Sequence, residues 1–277
     1  MMRPARLALP VAAALTVALA GCAAPSADPG AEESSGYVTD GKLTIATGEP
    51  AYSPWVEDDD PASGEGFEAA VAYAVADRMG FAPADVEWVR TTFDEAIAPG
   101  PKDFDLNLQQ FSVTDERRAA VDFSTPYYVT TQVVITVEDS PAASATGIDD
   151  LKPLRVGAAT GSTSLDAVEE IIAPDDGAQV FSSNDDAKLA LQSGTVDALV
   201  VDLPTGFYLT SAELDGGSIV GQLPGSQGGD EFGIVLPKDS PLTADVTAAV
   251  DELREDGTLD TLQEEWLGGQ GAAPVLE

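Results

Sequence analysis

The sequence predicts an α/β fold built as two lobes, with a ligand cleft between them. Apolar residues change period along the chain, from alternate positions to helical spacing and back. This β/α alternation falls into two runs, one before about residue 131 and one over 132–228. The segment after Asp230 is too short for a third domain, so it is expected to return and complete the first. Such alternation predicts layered α/β units with mainly parallel sheets. Ligands of these sheets bind at strand carboxyl ends, and two lobes place the largest cleft between them.

The elements follow in order. Lys42–Thr47 alternates Leu43, Ile45 and Thr47 on one side and reads as a strand. Phe67, Val71, Ala74, Val75 and Met79 have helical spacing, and Gly80 closes that helix. Val86–Val89 is a second strand. Phe93–Ala98 starts as a helix but meets Pro99-Gly100-Pro101, so it is short. Asp105–Phe111 reads as a buried strand, and Gln132–Val137 is strongly β-branched. Arg155–Ala159 is a strand that turns at Gly161 into a helix over Leu165–Ile172. Asp185–Gln192 is helical, Ala198–Val201 is a buried strand, and Phe232–Leu236 is a strand. Helices over Thr243–Asp256 and Leu259–Trp266 end the pattern, with Gly257 between them.

The N-terminus has a separate character. Arg3 and Arg6 precede an uncharged apolar run, Leu7–Ala20. The run is short for a bilayer span and suits the core of a secretory signal. It ends Leu19-Ala20-Gly21-Cys22, which looks like a bacterial lipobox whose cysteine is lipidated and becomes the first mature residue. A signal cut at an ordinary small-residue site, with Cys22 as bystander, is the alternative. Residues 23–40 are rich in Ala, Ser, Pro, Gly and acids and read as a flexible tether. The expected division is a lipoprotein signal over 1–21 and an anchored tether over 22–40. A discontinuous first lobe takes 41–131 plus 229–270, a second lobe 132–228, and a C-terminal tail 271–277. The expected location is extracytoplasmic, on the outer face of the cell membrane, held by a lipid on Cys22.

Charge narrows the partners. The chain has 13 Lys+Arg against 48 Asp+Glu. Two of those arginines lie in the first 21 residues, leaving 11 cations against 48 acids, a formal −37. Such a field repels nucleic acid and anionic lipid. A solvated acidic surface explains it, and steering of cationic solutes is the sharper reading. There is no histidine, which removes the usual general base and preferred transition-metal ligand. With one cysteine no internal disulfide can form. No cofactor and no metal site are expected, and the chain is expected to be a monomer.

One segment carries chemistry. From Phe104 to Arg118 the chain ends a strand, turns through hydroxyl and amide groups, and presents Arg117. A guanidinium fork fits a carboxylate, and exposed backbone N–H groups add donors. An ordinary ion pair on a helix surface would explain Arg117 equally well.

The runs Thr92-Phe93-Asp94, Asp103-Phe104-Asp105, Phe111-Ser112-Val113-Thr114-Asp115-Glu116-Arg117 and Val121-Asp122-Phe123-Ser124-Thr125-Pro126-Tyr127-Tyr128 together resemble the polar-amino-acid solute-binding proteins of ABC importers, bacterial extracellular family 3. Tyr52-Ser53-Pro54-Trp55 and Gly66-Phe67-Glu68 extend the likeness upstream. Gly161-Ser162-Thr163, Gly194-Thr195-Val196-Asp197-Ala198, Phe232-Gly233-Ile234-Val235 and Asp256-Gly257-Thr258-Leu259-Asp260 extend it downstream. The resemblance implies a type II periplasmic-binding fold, two lobes joined by two hinge strands, closing on an amino acid and docking on permease subunits. It implies that Arg117 clamps the α-carboxylate with help from Ser112. Thr163 with Ser162 would hold the same group from the second lobe. Thr163 sits just before a predicted helix, so simple capping is an alternative role. Asp202 would accept the α-ammonium at the end of its strand. Tyr52 and Phe93 match positions whose rings stack on the ligand side chain, with core packing the plainer reading. Glu49 falls near an acid of the basic-amino-acid binders and would suit a cationic side chain beside two aromatic faces.

Three departures from the family pattern bear on specificity. Gln110 replaces a small or hydroxyl residue and is expected to reach towards the cleft. Ala70 stands at the second acid of a Gly-Phe-Asp-x-Asp pattern, and Pro99 and Pro101 shorten a helix. Basic amino acids and glutamine-like polar solutes are both open. Rival readings are an enzyme on the same scaffold, dehydratase-like or lytic-transglycosylase-like, a ligand-sensing lipoprotein, and a lipoprotein that binds proteins. The absence of His, of an activated Ser pattern and of a second Cys speaks against catalysis, although paired carboxylates could act as acid and base.

Overall fold

The computed structural model describes residues 36–224, 229–268 and 273–277. The signal over 1–21, Cys22 and the tether as far as residue 35 lie outside the described residues.

Two five-stranded sheets organise the chain. In the first, β1 (Leu43–Gly48) lies between β2 (Val86–Thr91) and the two-residue β3 (Leu106–Asn107), parallel to both. Strands β4 (Val121–Phe123) and β12 (Val235–Pro237) complete it, β12 running antiparallel to both its neighbours, in the order β2-β1-β3-β12-β4. The second sheet runs β10-β6-β9-β7-β8, from β10 (Gly217–Gln222), β6 (Gln132–Val137), β9 (Ala198–Asp202), β7 (Val156–Ala159) and β8 (Gln179–Phe181). Here β7 is parallel to β8 and β9, while β6 is antiparallel to both β9 and β10. Half of the pairings are therefore antiparallel, against the expectation of mainly parallel sheets. Strands that enter directly after a lobe crossing, β6 and β12, run opposite to those inserted by β/α units.

Between the sheets stands an antiparallel pair, β5 (Tyr128–Thr130) with β11 (Asp230–Phe232). Sequence reading joins β11 and β12 into one strand, Phe232–Leu236. The chain breaks that strand at Gly233-Ile234 to change partners, where Gly233 N donates to Phe111 O and Ile234 N to Ser124 Oγ. The expected strand Asp105–Phe111 is also cut short. Asp105 turns its carboxylate onto the backbone N–H groups of Val38 and Thr44, each at 2.8 Å.

Each sheet is covered on both faces. Helices α1 (Phe67–Arg78), α8 (Thr243–Glu255) and α9 (Thr258–Leu267) bury Phe67, Val71, Val75, Val246, Val250 and Leu259 against Leu43, Ile45 and Leu106. The other face holds Phe104, Phe111, Val121 and Phe123, with the short α2 (Phe93–Ile97). Central strand β6 sends Val133 and Ile135 to one core and Val134 to another, which explains its unbroken apolar run. Short helices α3 (Asp115–Arg118), α4 (Ile148–Leu151), α5 (Thr163–Ala167), α6 (Asn184–Gln192) and α7 (Leu203–Tyr208) complete the connections.

Helix α1 shows how the first lobe presents its loop. No side chain caps its N-terminus. Instead, Pro54 O accepts from Phe67 N at 2.9 Å, and Trp55 O accepts from Glu68 N at 2.9 Å. Gly66 makes that approach possible: its φ is 102°, and a Cβ there would lie 2.6 Å from Trp55 O. Trp55 is thereby locked among Phe67, Tyr128 and Phe232, with ring centroids at 6.0, 5.9 and 5.7 Å. This cluster ties both hinge strands to the first lobe.

Both assigned tails are docked where they are described. Residues 36–40 belong to the fold rather than to a tether, because Tyr37 packs its ring 5.3 Å from Phe81 and Val38 N bonds Asp105. Residues 273–277 leave the first lobe and add to the second. Val275 bridges Gln222 in parallel, Ile148 N donates to Glu277 O, and Leu276 is 3% exposed in the core with Val134, Val156 and Val200. A short run ending in Leu-Glu carries no sequence mark of this, since the partner edge is supplied by β10. Leu276→Ala is expected to destabilise the protein by about 2–5 kcal/mol, read as a lower urea midpoint at unchanged slope. Val180→Ala, at a side chain 53% exposed, should stay within about 0.5 kcal/mol of the parent.

Candidate functional site

The parallel strands of both sheets aim their carboxyl ends at one cavity of about 190 Å³. Its lining includes Thr47–Tyr52 at and past the end of β1, Thr92 and Phe93 past β2, and Gln109 and Gln110 past β3. From the second lobe come Ala159 at the end of β7 with Thr160 and Ser162–Ser164 beyond it, Ser182–Asn184 after β8 and Asp202 at the end of β9. All nine residues singled out from sequence line it: Arg117, Asp202, Ser112, Thr163, Ser162, Tyr52, Phe93, Gln110 and Glu49.

Arg117 spans the cleft. Thr114 caps α3 by accepting from Arg117 N at 3.1 Å, which turns the side chain inward. Nη1 donates to Ser112 O at 2.6 Å in the first lobe, and Nη2 donates to Gly161 O at 2.8 Å in the second. The guanidinium lies 5.3 Å from the centre of the Phe93 ring, which stacks at 4.7 Å on Phe111. Phe93 therefore positions Arg117 as well as lining the cavity. Burial pulls the Arg117 pKa down, and the carboxylates of Asp166, Asp230, Asp202 and Glu116 oppose it. Gly161 is needed where it stands, with φ 66° and the Asp94 carboxylate 2.9 Å from where a Cβ would sit.

A polar chain continues from there. Ser112 Oγ is 3.2 Å from Thr163 Oγ1, and Thr163 Oγ1 donates to Asp230 Oδ2 at 2.6 Å. Gln132 Nε2 bridges Asp230 Oδ2 at 2.6 Å and Asp202 Oδ1 at 2.8 Å. Ser162, not Thr163, is the helix cap, accepting from Leu165 N at 3.1 Å. Asp202 is pushed up to about 7, first by burial and then by the neighbouring Asp230. The Tyr52 hydroxyl reaches Ser183 in the second lobe, and burial pushes its pKa up to about 12. Glu49 is exposed at the mouth.

Gln110 lines the cavity, but its amide does not extend across it. Its backbone N donates to Glu68 Oε1 at 2.7 Å and its Nε2 donates to Glu68 Oε2, while Tyr127 Oη also donates to Glu68. The pull of a buried carboxyl outweighs reach towards open space. Glu68 is 1% exposed, and burial raises it to about 7. Sequence reasoning missed four residues here. Trp55 donates to Thr205 Oγ1 across the lobes at 3.0 Å. Gln132 and Asp230 hold the hinge, and Gln109 lines the cavity. Hydrogen-bond partners far apart in the chain leave no local pattern. By contrast Asp197, within the Gly194–Ala198 run, accepts from Arg155 Nη2 at 2.6 Å and does not line the cavity.

Comparison with known proteins places this geometry. The model of the bacterial extracellular solute-binding proteins, family 3, matches residues 43–269. The chain is 28% identical to the arginine-binding extracellular protein ArtP of Bacillus subtilis (strain 168), over 95% of this chain and 98% of that one. Among solved structures it resembles an ancestral arginine-binding protein bound to glutamine. That match has 29% identity and a TM-score of 0.69, over 83% of this chain and 99% of the other. It also resembles the ancestral amino acid-binding protein AncCDT-1, a precursor of cyclohexadienyl dehydratase. There the identity is 29% and the TM-score 0.67, over 82% of this chain and 95% of the other.

The raised Glu68 carboxyl makes stability depend on pH. Its folded pKa, about 7, lies above the ordinary value of about 4.3. Between those values the folded state holds a proton that the unfolded state lacks. Its contribution is complete below the unfolded value and is lost as pH rises through 7. Glu68→Gln is expected to flatten the fall in urea midpoint between pH 5 and pH 7.5, by up to about 1.4 kcal/mol per pH unit. An unchanged slope would contradict the assignment.

Proposed function

We propose that this chain, which belongs to the bacterial extracellular solute-binding proteins of family 3, captures a free amino acid by closing two lobes on it. One observation supports this most: a guanidinium, Arg117, and a carboxyl, Asp202, line the same cavity from opposite lobes. An α-amino acid carries the complementary pair of charges, and burying a zwitterion requires a partner for each. In this reading lobe 1 comprises 41–131 with 229–270, and lobe 2 comprises 132–228. Arg117 takes the α-carboxylate with Ser112, Thr163 and Ser162, and Asp202 takes the α-ammonium. Tyr52 and Phe93 wall the side chain. A ligand that touches both lobes favours the closed form by its differential contacts, the hinge closure by which periplasmic binding proteins in general enclose their ligands.

Charge balance extends the reading to the side chain. Once Arg117 and Asp202 are paired with the zwitterion, Glu49 is the surplus charge on the cavity lining. A polar and preferably basic side chain neutralises it, in keeping with the arginine-binding relative. The bound solute is handed unchanged to the permease subunits of an ABC importer. No turnover is expected, since the lining holds no activated nucleophile; mass spectrometry of the solute after incubation would expose any conversion. Cys22 carries a lipid that holds the protein at the outer face of the membrane.

Calorimetry across the twenty amino acids tests the core of the proposal. Arg117→Ala and Asp202→Ala should each weaken the best ligand by more than about 30-fold, and near-parental affinity in either variant would overturn the site. Because Asp202 titrates near 7 and must ionise to hold an ammonium, binding should release a proton. Affinity should then fall towards about tenfold per pH unit below neutrality. Cys22→Ser should move the protein from the membrane fraction into the medium with ligand binding intact.

A further inference from the structure

We infer that Thr205 sets the affinity for every ligand alike, by accepting a hydrogen bond from the Trp55 indole when the two lobes are shut and losing it when they part. The inference rests on the hinge-closure reading above and adds to it a residue that acts on closure without touching the solute.

The contact runs from Trp55 Nε1 to Thr205 Oγ1 at 3.0 Å, between residues 150 apart in the chain. Both ends are buried, Trp55 fully and Thr205 at 6% exposure. An indole has a single polar atom, and that atom only donates. Trp55 therefore has one side-chain hydrogen bond to make, and it makes it across the lobes. Trp55 lines the cavity, whereas Thr205 does not.

Each end is fixed to its own lobe. Trp55 N donates to Tyr52 O and Trp55 O accepts from Glu68 N, both at 2.9 Å, so its backbone is held to the start of α1. Its ring packs with Phe67 and Phe232 in the core of the first lobe. Thr205 lies in the first turn of α7, directly after Pro204. That helix is seated on the second sheet at Gly206, where a Cβ would lie 2.6 Å from Val133 Cγ2 and 3.2 Å from Ile135 Cγ2. Neither side can follow the other when the lobes separate. A 3.0 Å hydrogen bond is lost once its atoms part by about 0.6 Å, so a small opening breaks it.

Burial decides which form the bond favours. With valine at 205, the shut form would leave the indole N–H buried without an acceptor, while in the open form water supplies one. Loss of the acceptor therefore counts against the shut form alone. Neither Nε1 nor Oγ1 is offered to the solute, so the loss carries no information about the solute's side chain. Tyr52 and Phe93, which wall that side chain, are of the opposite kind.

The test compares the parent, Thr205→Val and Thr205→Ser by calorimetric titration with L-arginine, L-lysine and L-glutamine, and with any other of the twenty amino acids that binds the parent. Stopped-flow kinetics with the tightest ligand and urea unfolding without solute complete it. Thr205→Val keeps the shape and removes the acceptor. It should weaken every ligand by a common factor of about tenfold and leave their order unchanged. The loss should lie in faster dissociation, because association begins from the open form. Thr205→Ser restores the acceptor and should return affinity to within about threefold of the parent. Without solute, the urea midpoint of Thr205→Val should match the parent's, since the open form lacks the bond. Parental affinity in Thr205→Val, a changed order of ligands, an equal loss in Thr205→Ser, or a solute-free urea midpoint that falls along with affinity each overturns the inference and leaves amino-acid capture standing. Failure of the parent to bind any amino acid overturns both.

Discussion

A guanidinium at 8% exposure needs its charge and donors answered inside the protein, and Arg117 finds those answers on two different lobes. Its bonds to Ser112 O and Gly161 O use carbonyls, which carry no formal charge. The group is thus fixed in direction while its positive charge is left to the cavity. Phe93 and Phe111 stack behind it, Thr114 turns it inward, and Gly161 allows its second partner to approach. Much of the first lobe's loop chemistry is arranged around seating this one side chain.

Opposite charge in the hinge region is handled differently. Asp202 and Glu68 are both raised, Asp202 by burial and then by the neighbouring Asp230 and Glu68, and Glu68 by burial. Gln132 is the mediator, donating to two of the three, while Tyr127 and Gln110 satisfy the third. The hinge strands themselves are pinned by an apolar cluster, Trp55 with Phe67, Tyr128 and Phe232, so electrostatic adjustment occurs on a firm base.

Much of this was legible before the fold was known, and the failures share a cause. The β-branched run at 132–137, the helical spacing at 67–79 and the turn chemistry around Gly161 report local periodicity, which sequence expresses directly. Three-residue strands such as β4, β5 and β8 are too short to show a period, and the helix after Asp202 was missed although Pro204 sits at its first turn. Collinear motifs also brought all nine candidate residues onto one cavity lining. Gln110 drew attention as an unusual residue expected to reach towards the cleft, yet its amide turns onto Glu68. Where the Gln110 amide goes depends on a left-handed backbone there, φ 52°, and on a carboxyl 42 residues away.

By itself the sequence determined the class of fold, the family, the acidic character and the identity of the charged residues that face one another. Those properties are written in composition, in spacing and in short ordered motifs. Tertiary structure alone decided that half the strand pairs of the two five-stranded sheets run antiparallel and that the last five residues join the second lobe's sheet. It also decided that Arg117 bonds carbonyls on both lobes and that the Gln110 amide turns onto Glu68. Each of these depends on groups distant in the chain meeting at hydrogen-bonding range, and burial then fixes which polar atoms are satisfied and which remain for a ligand.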